Sequence, residues 1–160
     1  MNRAEAFKLV WTNPIGVRVA LWSKLPLAAF AGLRVLRLDE SGAEVKLPAG
    51  WKTQNPFGST YFAAQAMAAE LSTGAPAVWM IEGSGEKISS LVTGLSAKFL
   101  KKAVKEARFV FADGAGMRSA IDRAISTGKP VTFAAKSVGT QVDGVPIAEF
   151  VIEWSFKRKV

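Results

Sequence analysis

Apolar residues recur at helical spacing in the first part of this chain and at alternating spacing in the last part. Val17, Ala20, Leu21, Trp22 and Leu25 make one apolar helical face. Asn13-Pro14 suits its start, Asn as the cap and Pro where a missing N–H costs nothing, and Pro26 ends the pattern. Residues 1–31 are therefore predicted as a helical extension. Leu33–Leu38 and Ala43–Leu47, separated by Ser41-Gly42, predict a short hairpin. A helix is predicted over about 59–73, with Ser59 or Thr60 as its cap, Gly74 just past its end and Pro76 blocking continuation. That helix is apolar on every side, so it should be enclosed.

Further on the period turns mostly to two. Ala77–Ile81, Ile88–Leu100, Ala107–Ala112, Val131–Val142 and Val145–Phe156 are the predicted strands, the last two joined by a two-residue turn at Asp143-Gly144. One amphipathic helix near 116–127 interrupts them, with Met117, Ala120, Ile121, Ala124 and Ile125 on its inner face, Asp113 as cap and Gly128 closing it. Helices, a hairpin, one enclosed helix and then long strands imply an α+β fold in which a curved antiparallel sheet wraps a central helix. No linker or repeat divides residues 1–160, and one domain is expected.

Composition narrows the chemistry. The chain has 160 residues, 49% of them hydrophobic, with ten Phe and five Trp for a core. It has no Cys and no His. That excludes disulfides, thiol nucleophiles, zinc ribbons, Ser-His-Asp triads and His-metal sites, and no metal is expected. Carboxylates, hydroxyls, amides, Lys and Arg remain. Glu70 is the only charge between Thr60 and Thr73. Desolvation on an apolar helix raises the pKa of such an acid toward the range of a general base; a structural acid bonded near the helix end is the other reading. Ser72 and Thr73 lie within a turn of it.

Lys and Arg total 21 against 13 acids, a net charge of +8. The excess gathers in Lys98, Lys101, Lys102, Lys105 and Arg108 and again in Lys157–Lys159. The aromatic residues sit at core spacing and form no stacking platform, so nucleic acid is not the expected partner. The first residues hold no unbroken apolar run, and Arg18, Lys24, Pro26 and Arg34 interrupt Ile15–Leu38, so neither an export signal nor a membrane segment is expected and the location should be cytoplasmic.

The run Asn55-Pro56-Phe57-Gly58-Ser59 through Met67-Ala68-Ala69-Glu70-Leu71-Ser72-Thr73-Gly74 resembles the hotdog superfamily, within it a thioesterase-like group related to the PaaI-type acyl-CoA thioesterases. The hairpin ending near Pro48 and Trp51 and the stretch Lys98-Phe99-Leu100-Lys101-Lys102-Ala103 share the likeness, which spans about residues 24–158. It implies a homodimer, or a tetramer, with active sites between subunits and an acyl-CoA or acyl-carrier thioester as substrate, coenzyme A entering only as part of that substrate. In such proteins a helix carboxylate acts as base or nucleophile while amides at a partner's helix start polarise the carbonyl. Glu70 falls on that acidic position and Tyr61-Phe62-Ala63 on the family's His-Gly-Gly. By this resemblance Glu70 and Asn55 are the catalytic candidates, the Phe62 and Ala63 amides the oxyanion donors, Tyr61, Ser59 and Thr73 the pocket wall, and Lys98, Lys101 and Lys102 the phosphate ligands. Phe62 and Ala63 in place of glycines open an alternative: a non-catalytic hotdog protein that binds an acyl or CoA ligand. Dehydration, which uses His in hotdog enzymes, is excluded.

Overall fold

A computed structural model describes residues 3–159. Three helices open the chain: α1 (Arg3–Thr12), α2 (Pro14–Lys24) and α3 (Pro26–Ala31). The Asn13 Oδ1 accepts from the Ile15 and Gly16 amides at 2.9 Å each, so the predicted cap is present. Pro26, expected only to end a helix, also begins α3, because the first helical position tolerates its missing N–H.

Strands β1 (Arg34–Asp39) and β2 (Gly42–Leu47) form the expected hairpin. After the central helix, α4 (Phe62–Ser84), come β3 (Ile88–Phe99), β4 (Ala107–Phe111), α5 (Gly114–Thr127), β5 (Val131–Gln141) and β6 (Pro146–Arg158). All six strands join one antiparallel sheet in the order β1-β2-β4-β5-β6-β3. Alternate residues face α4: Val45 beside Phe109 on β2 and β4, then Phe150, Ile152, Trp154 and Phe156 on β6, all buried. Where the helix passes β5 the sheet offers the small residues Ala135, Ser137 and Gly139. A Cβ on Gly139 would lie 2.6 Å from the Phe109 ring, so only glycine lets that ring lie flat across the strand. α5 has the predicted Asp113 cap and ends on Gly128 at φ +65°, its inner face buried against β5 and β6.

Three expectations change. The central helix runs from Phe62 to Ser84 instead of ending at 73, and Ala77–Ile81, expected as a strand, is its continuation. Pro76 sits inside it, and Gly85 at φ +73° closes it. Ala77 and Met80 are buried and α1 lies along this half, with the Lys8 ammonium over the Trp79 ring, so tertiary cover outweighs the missing backbone bond. No side chain caps the start: Tyr61 occupies the N-cap, and the Ser59 hydroxyl is used elsewhere. The last hairpin has a three-residue loop, with Gln141 N–H bonding Val145 O and Gly144 N–H bonding Gln141 O.

The helix is also less enclosed than its composition implied. From Ala68 to Ala77 nearly every residue is buried, but Ala63, Ala66, Met67 and Glu70 are half-buried and Phe62 is exposed. The neighbouring edge strand β3 shows the same incompleteness, with Leu95 and Phe99 exposed although they share the helix-facing side with Val92 and Ala97.

Candidate functional site

The loop before α4 is a tight turn built on Asn55. Its Oδ1 accepts from the Phe57 and Ser59 amides at 3.0 and 3.2 Å and from the Ser59 hydroxyl at 3.2 Å. The geometry therefore gives Asn55 and Ser59 a turn-building role, and the carbonyl of Asn55 is already committed. The turn delivers the chain to Tyr61, whose N–H bonds Thr53 O at 2.7 Å and whose C=O accepts from Ala64. The Phe62 and Ala63 N–H groups find no acceptor among the described residues. Two orphan donors at a positive helix end are what a developing oxyanion needs.

Phe62, though not Ala63, borders a cavity of about 540 Å³ that is also lined by Asn55, Ser59, Tyr61, Lys101 and Lys102, with Phe99 and Leu100 opposite. Tyr61 packs edge-on against Phe62, and Phe62 against Phe99. The Lys102 ammonium reaches Phe57 O at 3.4 Å, leaving it at the rim. Lys98 lies apart, exposed on β3 opposite Glu149, and lines neither this cavity nor the next.

Glu70 faces another space. A cavity of about 1070 Å³ runs between α4 and the N-terminal helices, bordered by Glu70, Leu71, Gly74 and Trp154 at one end. The Glu70 carboxyl makes no ion pair or hydrogen bond with the described residues, and burial pushes its pKa above the ordinary value. Desolvation with no compensating partner is the state the lone acid predicted. The neighbouring hydroxyls do not reach that carboxyl. Thr73 Oγ1 donates to the Glu70 backbone O at 3.0 Å and accepts from Trp154 Nε1 at 3.0 Å. Thr73 is wholly buried and so is no part of a pocket wall, a correction to its expected place. Ser72 is likewise buried and pairs with Ser137 Oγ at 2.8 Å.

The candidates thus fall into two groups. Asn55, Ser59, Tyr61, Phe62, Lys101 and Lys102 gather at the helix start; Glu70 stands apart, about 12 Å along the axis at ~1.5 Å per residue. Sequence reasoning missed Gln65, buried beside the smaller cavity with Nε2 on Thr60 O and Oε1 unpartnered. It also left Trp154 as a core residue only, although an inward-facing Trp needs an acceptor for its N–H. The N-terminal helices gave no signal of belonging to a site.

A family model described as "Domain of unknown function (DUF4442)" matches residues 16–115. No curated protein matches the chain. Among solved structures, a Pseudomonas aeruginosa protein of unknown function described as a probable thioesterase superposes with a TM-score of 0.76 at 20% identity, covering 94% of this chain and 99% of that one. A Chlorobaculum tepidum protein of unknown function gives 0.75 at 13% identity over 93% and 99%. A Haemophilus influenzae thioesterase gives 0.63 at 14% identity over 93% and 95%. At such identities the likeness establishes the fold, and the fold is the hotdog architecture that the Asn55–Gly74 segment resembled.

Proposed function

The chain belongs to the DUF4442 family, and for this member we propose thioester hydrolysis at a site shared between two copies, with an acyl-CoA or acyl-carrier thioester as substrate. The observation that carries this reading is the unpartnered, desolvated Glu70 carboxyl on the same helix as two orphan amides, too far apart for one chain to use on one carbonyl. The β3 edge supports a second copy. It is a 12-residue strand with one side unpaired, and its exposed Leu91, Leu95 and Phe99 would be covered by an antiparallel equivalent. Pairing there would set the Phe62 end of one helix toward the Glu70 of the other.

In the proposed reaction the Glu70 carboxylate takes a proton from water as that water's oxygen bonds to the thioester carbon. The carbonyl electron pair moves onto oxygen, held by the Phe62 and Ala63 N–H groups. Collapse re-forms the C=O and breaks the C–S bond. The thiolate leaves with the proton returned from Glu70, and a carboxylic acid remains. Tyr61 walls the thioester, while Lys101 and Lys102 at the rim suit the phosphates of the nucleotide end; Lys98 serves only if the nucleotide reaches across β3.

The test is hydrolysis of an acyl-CoA panel by wild type and Glu70→Gln. A fall in kcat of about 10²–10⁴ is expected from removing a general base. Undiminished turnover in Glu70→Gln would remove its assigned role. A second reading rests on Phe62, whose side chain stands where the family's glycine would admit the ligand. Tight acyl-CoA binding with no turnover by wild type would favour that non-catalytic binder.

A further inference from the structure

We propose that the N-terminal helices form a binding channel for a long acyl chain, with its carbonyl end at Glu70. The channel rests on the thioesterase reading for its direction and on the cavity for its existence. Three helical stripes face one another around the 1070 Å³ space. On α1, Ala6, Phe7 and Val10 point inward; on α2, Gly16, Val19 and Ala20; on α4, Glu70, Gly74 and Val78, ending at Glu82. Stripes at i, i+3, i+4 spacing normally close on one another, and here they do not.

The gap cannot be removed by sliding α2 inward on α1. A Cβ on Gly16 would lie 2.6 Å from Val10 O, so those two backbones already touch. Nor can α1 settle further onto α4, since a Cβ on Gly83 would stand 3.2 Å from the Ala4 Cβ. The space is therefore built into the helix arrangement, and its volume lies just above the ~300–1,000 Å³ typical of small-molecule sites.

The length of the space points to the ligand. Glu70 to Glu82 spans about 18 Å at ~1.5 Å per residue, the length of roughly fourteen carbons in an extended zigzag of ~1.5 Å C–C bonds. Between those two carboxyls the α4 stripe is apolar, with Gly74, Ala75 and Val78 lining the channel. The far end is marked by Arg3 and Glu82, where the polar groups return. An alkyl chain matches this apolar run in length and in character. Each methylene taken out of water should tighten binding about fourfold.

The test uses the full chain and two readouts. Displacement of the fluorescent fatty acid cis-parinaric acid by hexadecanoic acid reports the channel without any chemistry. KM values for butanoyl-, decanoyl- and hexadecanoyl-CoA report it during turnover. Displacement is expected, with KM falling as the chain lengthens. Val78→Trp, which fills the middle of the channel, should raise the hexadecanoyl-to-butanoyl KM ratio at least tenfold and weaken parinarate binding to match. Val78→Ser, a milder change should the Trp variant not fold, should weaken it about threefold. Absence of displacement, KM independent of chain length, or equal effects of Val78→Trp on short and long substrates would each overturn the channel. Fatty-acid binding without hydrolysis of any acyl-CoA would leave the channel standing and remove the thioesterase reading.

Discussion

Glu70 and the pair Ser72–Thr73 occupy adjacent positions on one helix, yet they sit on opposite sides of a physical divide. The two hydroxyls are wholly buried and each has two partners: Ser72 on Ala69 O and Ser137, Thr73 on Glu70 O and Trp154. The carboxyl is half-buried and has none. A buried polar group without a partner costs more than its bond would return, so completed pairs hold the helix to the sheet. An acid left unpaired lowers stability, and its presence beside a cavity calls for a use. The contrast separates the polar groups that place α4 from the one that could act.

Thr73→Val gives the strongest test of that divide. It strands the Trp154 N–H in the core, and a loss of about 1–3 kcal/mol is expected in urea unfolding. Glu70→Gln strands nothing and should be neutral or stabilising at neutral pH. A neutral Thr73→Val together with a destabilised Glu70→Gln would invert the assignment.

Gly74→Ala works on the boundary between the two groups. Replacing a mid-helix glycine gains up to about 1 kcal/mol in helix propensity. The new Cβ would stand 3.0 Å from Glu70 Oε1 and 3.4 Å from the Trp154 ring. The carboxyl lies at the end of a flexible side chain and can turn aside, so stability should hold or rise slightly. Hydrolysis should nonetheless fall several-fold, because the group that moves is the proposed base. Unchanged turnover would mean that the carboxyl's position is immaterial.

Much of this arrangement was legible in the residue order, and the exceptions have physical causes. The strands of the sheet follow from period-two alternation, and α5 from its Asp113 and Gly128 ends, because those signals are local. Glu70 stood out as the lone acid of an apolar run. The second half of α4 did not, since Pro76 and the apolar Val78-Trp79-Met80-Ile81 read locally as a break and a strand. Cover supplied by α1, from the other end of the sequence, and by Arg118 of α5 keeps that segment helical. The Ser72–Ser137 and Thr73–Trp154 bonds join residues far apart in the chain, and the cavity is a shape that no residue type encodes.

The finest distinction lies in pH. Burial holds the Glu70 pKa above its ordinary 4.5, so the folded chain binds that proton more tightly than the unfolded chain does. Its contribution is fully present below pH 4.5 and is lost as pH rises through the raised value. Asp39 behaves oppositely. The Ser41 hydroxyl, then the Arg37 guanidinium, pull it from 3.8 down to about 2. Its contribution is present above 3.8 and lost as pH falls toward 2, and solvent at this half-exposed pair limits it to about 0.2–1 kcal/mol. Urea midpoints followed across pH should therefore show Glu70→Gln gaining on wild type as pH climbs past 4.5, and Asp39→Asn converging with wild type as pH approaches 2. A Glu70→Gln curve parallel to wild type throughout would mean the carboxyl has a partner after all, and with it a structural reason to be there.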